Sequence, residues 1–254
     1  MYYQYKWIIK DTIEYEIKHA GKYGAKGEKR AKKTKATPEE VKKQNQRIRE
    51  KKMRRLIKAN FDKGDIWMTL KYPKGQRKPL DEVKTDLRRF IDYMRRRYKS
   101  QGKEFKFIYR LEIGRLGGIH IHMIVPRIRG ADTELIIQNG WIHGRANFQN
   151  LDEGDYSELA AYIVKQPDDE VGKQLNKYSK EERKEFIKYS SSRNLIRPEP
   201  EKKVYSKRTV RKMLKDGPKP SEGYYILKDS FVKGFNEFTG MSFIYYKERK
   251  IESG

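Results

Sequence analysis

The stretch KEFKFIYRLEIGRLGGIHIHMIVP, residues 103–126, reads as two strands joined by a Gly-rich turn, Lys103–Gly114 and Gly118–Pro126. Successive side chains of a strand point to opposite faces. In the second strand Ile119, Ile121 and Met123 point one way and His120 and His122 the other. In the first, Tyr109, Leu111 and Ile113 oppose Arg110 and Glu112. A turn centred on Leu116 sets Glu112 opposite His120 and Arg110 opposite His122, and opposed residues share a face. One face is then core, and the other carries Glu112, His120, His122 and Arg110. A slip of one residue would bury all four, so the apolar face pins the register. Two imidazoles and a carboxylate are a three-ligand set for a divalent ion. The hairpin alone leaves that reading and a merely solvated face both open. His19 and His143 have no such surroundings and read as surface or hydrogen-bonding residues.

Outward from the hairpin, Asp65–Tyr72 (DIWMTLKY) reads as a strand ended by Pro73 and Gly75. Val83, Leu87, Phe90, Ile91, Met94 and Tyr98 recur at helical spacing and predict an amphipathic helix that packs on a sheet. A short helix over 132–138, a strand over 145–151 and a helix over 155–166 follow. Residues 168–189 read as helical and polar, 190–200 as loop, and the end as short strands. Near the start, Thr12–Lys18 alternates like a half-buried strand, and 21–27 reads as a loop. The class is α+β: an antiparallel sheet flanked by helices, with a basic helical N-terminal extension and a C-terminal extension.

Lys and Arg number 60 against 35 Asp and Glu in 254 residues, a net charge of +25. Such an excess restricts the partners to polyanions. Residues 22–58 hold 16 of the cations and four acids, an excess of +12. Thr37-Pro38-Glu39-Glu40 is a capping box with proline at the first helical position, and it predicts a helix over 38–60. Its cations, among them Lys42, Lys51, Arg54 and Arg55, are candidates to lie on phosphates. With 18 Tyr, 10 Phe and 3 Trp the chain is too aromatic to be disordered throughout. Without cysteine it has no disulfide, thiolate metal site or thiol nucleophile. No apolar run reaches the roughly 20 residues of a membrane span, and the first residues lack a signal peptide, so no membrane partner and a cytoplasmic location are expected.

In the helix over 155–166, Asp155 is a candidate cap. Leu159, Ala160, Ile163 and Val164 form its packing side, and Tyr162 and Lys165 stand three apart. A phenol normally titrates near pH 10, so a neighbouring cation favours its use as a nucleophile. Tyr156, about 240° round the helix from Tyr162, reads as structural.

At this point a resemblance enters. GGIHIHMIVP resembles the His-hydrophobic-His motif of the HUH endonucleases, AAYIVKQ their Tyr-x-x-Lys motif, and WMTLKYP the strand motif that precedes them in rolling-circle replication initiators (Rep proteins). The order of the three is that of initiators of small bacterial plasmids and single-stranded DNA phages. The resemblance is strong over about 65–170. It implies a ferredoxin- or RRM-like fold and metal-dependent, site-specific nicking and joining of single-stranded DNA at a replication origin. His120, His122 and Glu112 would hold Mn²⁺ or Mg²⁺. Tyr162 would attack the phosphate to leave a 5′-phosphotyrosine and a 3′-OH primer, and Lys165 would stabilise the charge. The partners implied are single-stranded DNA, an origin stem-loop, and a host helicase and DNA polymerase in a bacterial cell. Thr69, Lys71, Arg110, Arg145, Asn147, Arg193 and Asn194 are candidate DNA contacts.

The expected division is 1–60 as a strand and basic helix, 61–170 as the catalytic domain and 171–254 as the C-terminal extension. No G-x-x-x-x-G-K-[ST] loop occurs, so unwinding falls to another protein. Three alternatives stay open: an HUH-type single-strand transposase, a metallohydrolase that activates water, and a non-catalytic RRM-like nucleic-acid binder.

Overall fold

The computed structural model describes residues 1–21, 36–236 and 240–251. In chain order the elements are β1 (Tyr2–Ile9), β2 (Thr12–His19), α1 (Pro38–Asn60), β3 (Ile66–Lys71), α2 (Leu80–Ser100), β4 (Ile108–Ile113), β5 (Ile119–Val125), α3 (Thr133–Gly140), β6 (Arg145–Asn150), α4 (Ser157–Val164), α5 (Asp169–Leu175), α6 (Lys180–Ile187), β7 (Tyr189–Ser191), β8 (Glu201–Tyr205), α7 (Lys207–Asp216), β9 (Tyr224–Ile226), β10 (Val232–Asn236) and β11 (Met241–Lys250). The architecture is α+β with antiparallel sheets. Among the described residues no helix is long and apolar enough to cross a membrane.

The chain groups into two units: residues 46–196, and residues 1–45 together with 197–254. This grouping differs from the three-part division at 60 and 170. It puts most of α1 with the central unit, and α5, α6 and β7 there too. It also joins the two ends of the chain in one sheet.

In the central unit five antiparallel strands run in the order β6-β3-β5-β4-β7. The hairpin has the register derived from the sequence, with Glu112 opposite His120 and Arg110 opposite His122. Met68, Leu70, Leu111, Ile113, Ile119, Ile121 and Met123 form one buried face, joined in one core with Val83, Leu87, Phe90, Ile91, Met94 and Tyr98 of α2. The other face is only partly open. At the Ile108 end Ile108 and Ile124 join Met53, Leu56 and Ile57 of α1 and Ala160, Ile163 and Val164 of α4 in a second core. Each such side chain removed from water contributes about 1.5–3 kcal/mol before entropy is counted.

Helix α1 begins with the expected box: Thr37 N–H donates to Glu40 at 2.7 Å, and Glu40 N–H to Thr37 Oγ1 at 3.3 Å. Its halves differ. Val41 and Ile48 are exposed, whereas Met53 to Lys58 are all buried. The basic run over 22–35 and the loop expected over 22–27 lie outside the described residues.

In the other unit the order is β10-β11-β2-β1-β8, with β9 added on β11. Val210 of α7 packs with Tyr2, Ile13, Tyr15, Ile17, Ile244 and Tyr246 on one face of that sheet.

Candidate metal centre and tyrosine

Pairing across the sheet arranges the site face in rows. Arg145, Lys71, His120 and Glu112 form one. Asn147, Thr69, His122, Arg110 and Tyr189 form the next. The ligand-type atoms of Glu112, His120 and His122 all lie within 4.8 Å of one another. This donor set, two imidazole nitrogens and one carboxylate with open positions, fits a divalent ion.

His122 is held from three sides. Its Nδ1 lies 3.1 Å from Thr69 Oγ1. Its ring stacks on Trp67 at 5.5 Å and 19°. Its Nε2 lies 2.6 Å from Glu112 Oε2. A hydroxyl can donate to a ring nitrogen or accept from one, so Thr69 serves both tautomers. With Nε2–H on Glu112, Thr69 donates; with Nε2 free as a metal ligand, Nδ1–H donates to Thr69. Holding the far nitrogen is what orients a ligating imidazole.

Helix α4 brings the tyrosine to this cluster. The Tyr162 hydroxyl donates to Glu112 Oε2 at 2.7 Å and lies 3.2 Å from His122 Nε2. Trp67 meets its ring edge-on at 5.9 Å. Burial, and then the hydrogen bond and negative charge of Glu112, raise the phenol above its ordinary value. Hydrogen bonding from His122, with Tyr162 and Arg110 adding to it against burial, holds the Glu112 carboxyl down to about 2. Burial, then the charge of Lys71, lowers His120 and keeps it in the neutral form that a ligand needs.

Several expected roles change. Arg110 is only 6% exposed, so it does not present itself to DNA. It donates to the carbonyls of Tyr162 at 2.9 Å and Ile163 at 3.2 Å. Those are helix-terminal acceptors without partners inside the helix, and a cation there also suits the helix dipole. Arg110 therefore holds the end of α4 that carries the phenol. Lys165 falls just past that end, with extended backbone, because α4 stops at Val164. Its Nζ pairs with Asp168 at 3.5 Å, in the open. The spacing of three did not bring ammonium and phenol onto one helix face, because the helix does not reach Lys165. Asp155 is displaced as well. Tyr156 occupies the cap position with φ 58°, and Asp155 binds Ser157 instead. The Tyr156 ring packs partly buried against the second core, in the structural role expected of it.

Among the DNA candidates, Arg145 and Asn147 are exposed on β6, and Lys71 is half-buried beside His120. Thr69 is taken up by His122. Arg54 and Arg55 are 4% and 6% exposed, which removes them from a phosphate-gripping surface. Lys42 is exposed and Lys51 half-buried. Arg193 is exposed, but the Asn194 amide faces Glu104 and the Phe105 carbonyl, beyond the end of β4 away from Glu112. His143 bonds Asp86 at 3.3 Å, as an ordinary histidine. Sequence reasoning missed Trp67 and the structural use of Arg110. Register put Arg110 in the row of His122, but nothing in the sequence showed that α4 would close over it.

Residues 65–167, less than half of the chain, match the family model described as Replication-associated protein ORF2. Comparison with curated proteins and with solved structures found no match. The matched segment runs from β3 to just past α4 and contains His120, His122, Glu112 and Tyr162. It supports a replication-associated protein of the rolling-circle type.

Proposed function

We propose that this protein is a rolling-circle replication initiator that nicks and rejoins single-stranded DNA at an origin, with Tyr162 as the nucleophile. One observation carries the reading: the Tyr162 hydroxyl lies 2.7 Å and 3.2 Å from two members of the Glu112, His120, His122 cluster. A tyrosine used only for packing has no need of a ligand set at its hydroxyl. These three residues would hold Mn²⁺ or Mg²⁺, which supplies charge neutralisation and in-line orientation of a phosphodiester.

The chain's own residues do the rest. Tyr162 Oη forms a bond to phosphorus as the bond from phosphorus to the 3′ oxygen breaks. In balance, the phenolic proton ends on the 3′ oxygen. Arg110 holds the helix end that aims the phenol, and Thr69 and Trp67 hold His122. Rejoining is the same step reversed, so no activated cofactor is required.

The test is a denaturing gel after incubation with Mn²⁺ and single-stranded oligonucleotides from the origin of the protein's own replicon. A protein–DNA adduct that Tyr162→Phe abolishes is expected. Cleavage that survives Tyr162→Phe would replace this reading with water activation by the metal cluster. Absence of any adduct on cognate DNA would overturn it.

A further inference from the structure

In the unit formed by residues 1–45 and 197–254, a cavity of about 790 Å³ opens between the sheet and α7. Its size falls in the range of sites that enclose small organic ligands. Register explains its lining. Gln4 pairs with Ile17 and Lys203, and Lys6 with Tyr15 and Glu201, while Tyr15 pairs with Tyr246. The side chains of both rows project to the face that α7 covers. Lys212 of α7 and Lys219 of the loop after it complete the rim.

Three observations point to one kind of ligand. Gln4 is 7% exposed and lines the cavity, yet its carboxamide makes no hydrogen bond among the described residues. A buried amide without a partner carries a desolvation cost that a ligand would relieve. Tyr15 and Tyr246 stack at 4.5 Å and 12° and give the cavity a flat aromatic wall. Lys203, Lys212 and Lys219 stand exposed at its rim. An amide able to donate and accept reads a base edge, aromatic faces take a planar ring, and ammonium groups take phosphate.

The geometry points to a nucleotide-binding site, independent of Tyr162, that takes a base bearing phosphate. Either a free deoxynucleotide or one unstacked unit of a DNA strand has that chemistry.

The experiment uses the full chain in two arms. In the first, deoxynucleoside triphosphates are titrated by calorimetry, with inorganic triphosphate as the control. In the second, oligonucleotides containing 5-iodouracil are photo-crosslinked and the attachment site is mapped by mass spectrometry. The first arm reads a free nucleotide, the second a strand. Saturable nucleotide binding, or a crosslink in the peptides that hold Tyr15, Tyr205 or Tyr246, is expected. Gln4→Leu and the exposed variant Lys212→Glu should each reduce that signal by about tenfold. Lys212→Glu keeps the test sound if Gln4→Leu lowers the melting temperature. Binding of inorganic triphosphate equal to that of nucleotides, or no signal in either arm, or a signal that neither variant alters, would overturn the assignment.

Discussion

The Tyr162 hydroxyl donates its hydrogen bond to Glu112, a residue 50 positions earlier that also lies 2.6 Å from His122. One carboxylate therefore faces both the phenol and an imidazole. Any ion taken up by this cluster competes with the phenol for the same oxygen.

That competition makes metal uptake a proton-releasing event. A short contact between Nε2 and a carboxylate held down to about 2 is a hydrogen bond with the proton on the ring. Loading Mn²⁺ at neutral pH should release about one proton per ion. Calorimetry in buffers of different ionisation enthalpy measures the number. Thr69→Val should weaken Mn²⁺ binding by about tenfold or more, since Nδ1 then loses its partner.

Arg110→Met should leave metal affinity near wild type and slow adduct formation by roughly a hundredfold, the cost of a misplaced nucleophile. Single-turnover gels give the rate, and Mn²⁺ titration gives the affinity. An equal loss in both would mean that Arg110 supports the ligands rather than the helix end.

Lys165→Ala should change the adduct rate by no more than a few-fold. Its Nζ pairs with Asp168 in the open, where an ion pair is worth little. A loss of a hundredfold would return Lys165 to the role that the Tyr-x-x-Lys resemblance implies.

Asp86 supports the fold beneath the site. It accepts from Lys78 at 2.7 Å and Tyr72 at 3.0 Å, and it lies 3.3 Å from His143. Burial alone would raise its carboxyl, but these partners outweigh burial and lower it below its ordinary 3.8. A depressed acid stabilises the fold above its unfolded value, and that contribution is lost as pH falls below about 4. Asp86→Ala should cost about 3 kcal/mol at neutral pH by stranding three donors. It should also flatten the acid limb of stability against pH, read from urea midpoints.

Neutralising Lys42, Lys43 and Arg47, exposed on the first half of α1, should lower the slope of log affinity against log salt by about 2 for single-stranded DNA. An unchanged slope would place the phosphate contacts elsewhere.

The hairpin, its register and the ligand cluster were legible because alternation over 108–125 leaves one pairing that buries the apolar face. The caps of α1 and the buried stripe of α2 were legible for the same kind of local reason. What was not legible depends on distant closure. Helix α4 ends one residue before Lys165, and nothing local signals that stop. Arg54 and Arg55 look solvated in a basic run, but they lie in the half of α1 that is buried with Met53, Leu56 and Ile57. The strand β1 and the helix α7 were not foreseen. Residues 2–9 pair with 201–205, across nearly the whole chain, and no short window shows that.

The pairing of β1 with β8 and of β2 with β11 has a consequence for synthesis. When residue 196 has left the ribosome, every element of the tyrosine-bearing unit exists. The other sheet then has only β1 and β2 and must wait for its remaining strands. The tyrosine-bearing half therefore folds first on the growing chain, while an aromatic hairpin stands unpaired ahead of it. A ribosome that stalls after residue 196 would release that folded half with a sticky, unfinished edge. Such a product is a target for chaperones and proteases.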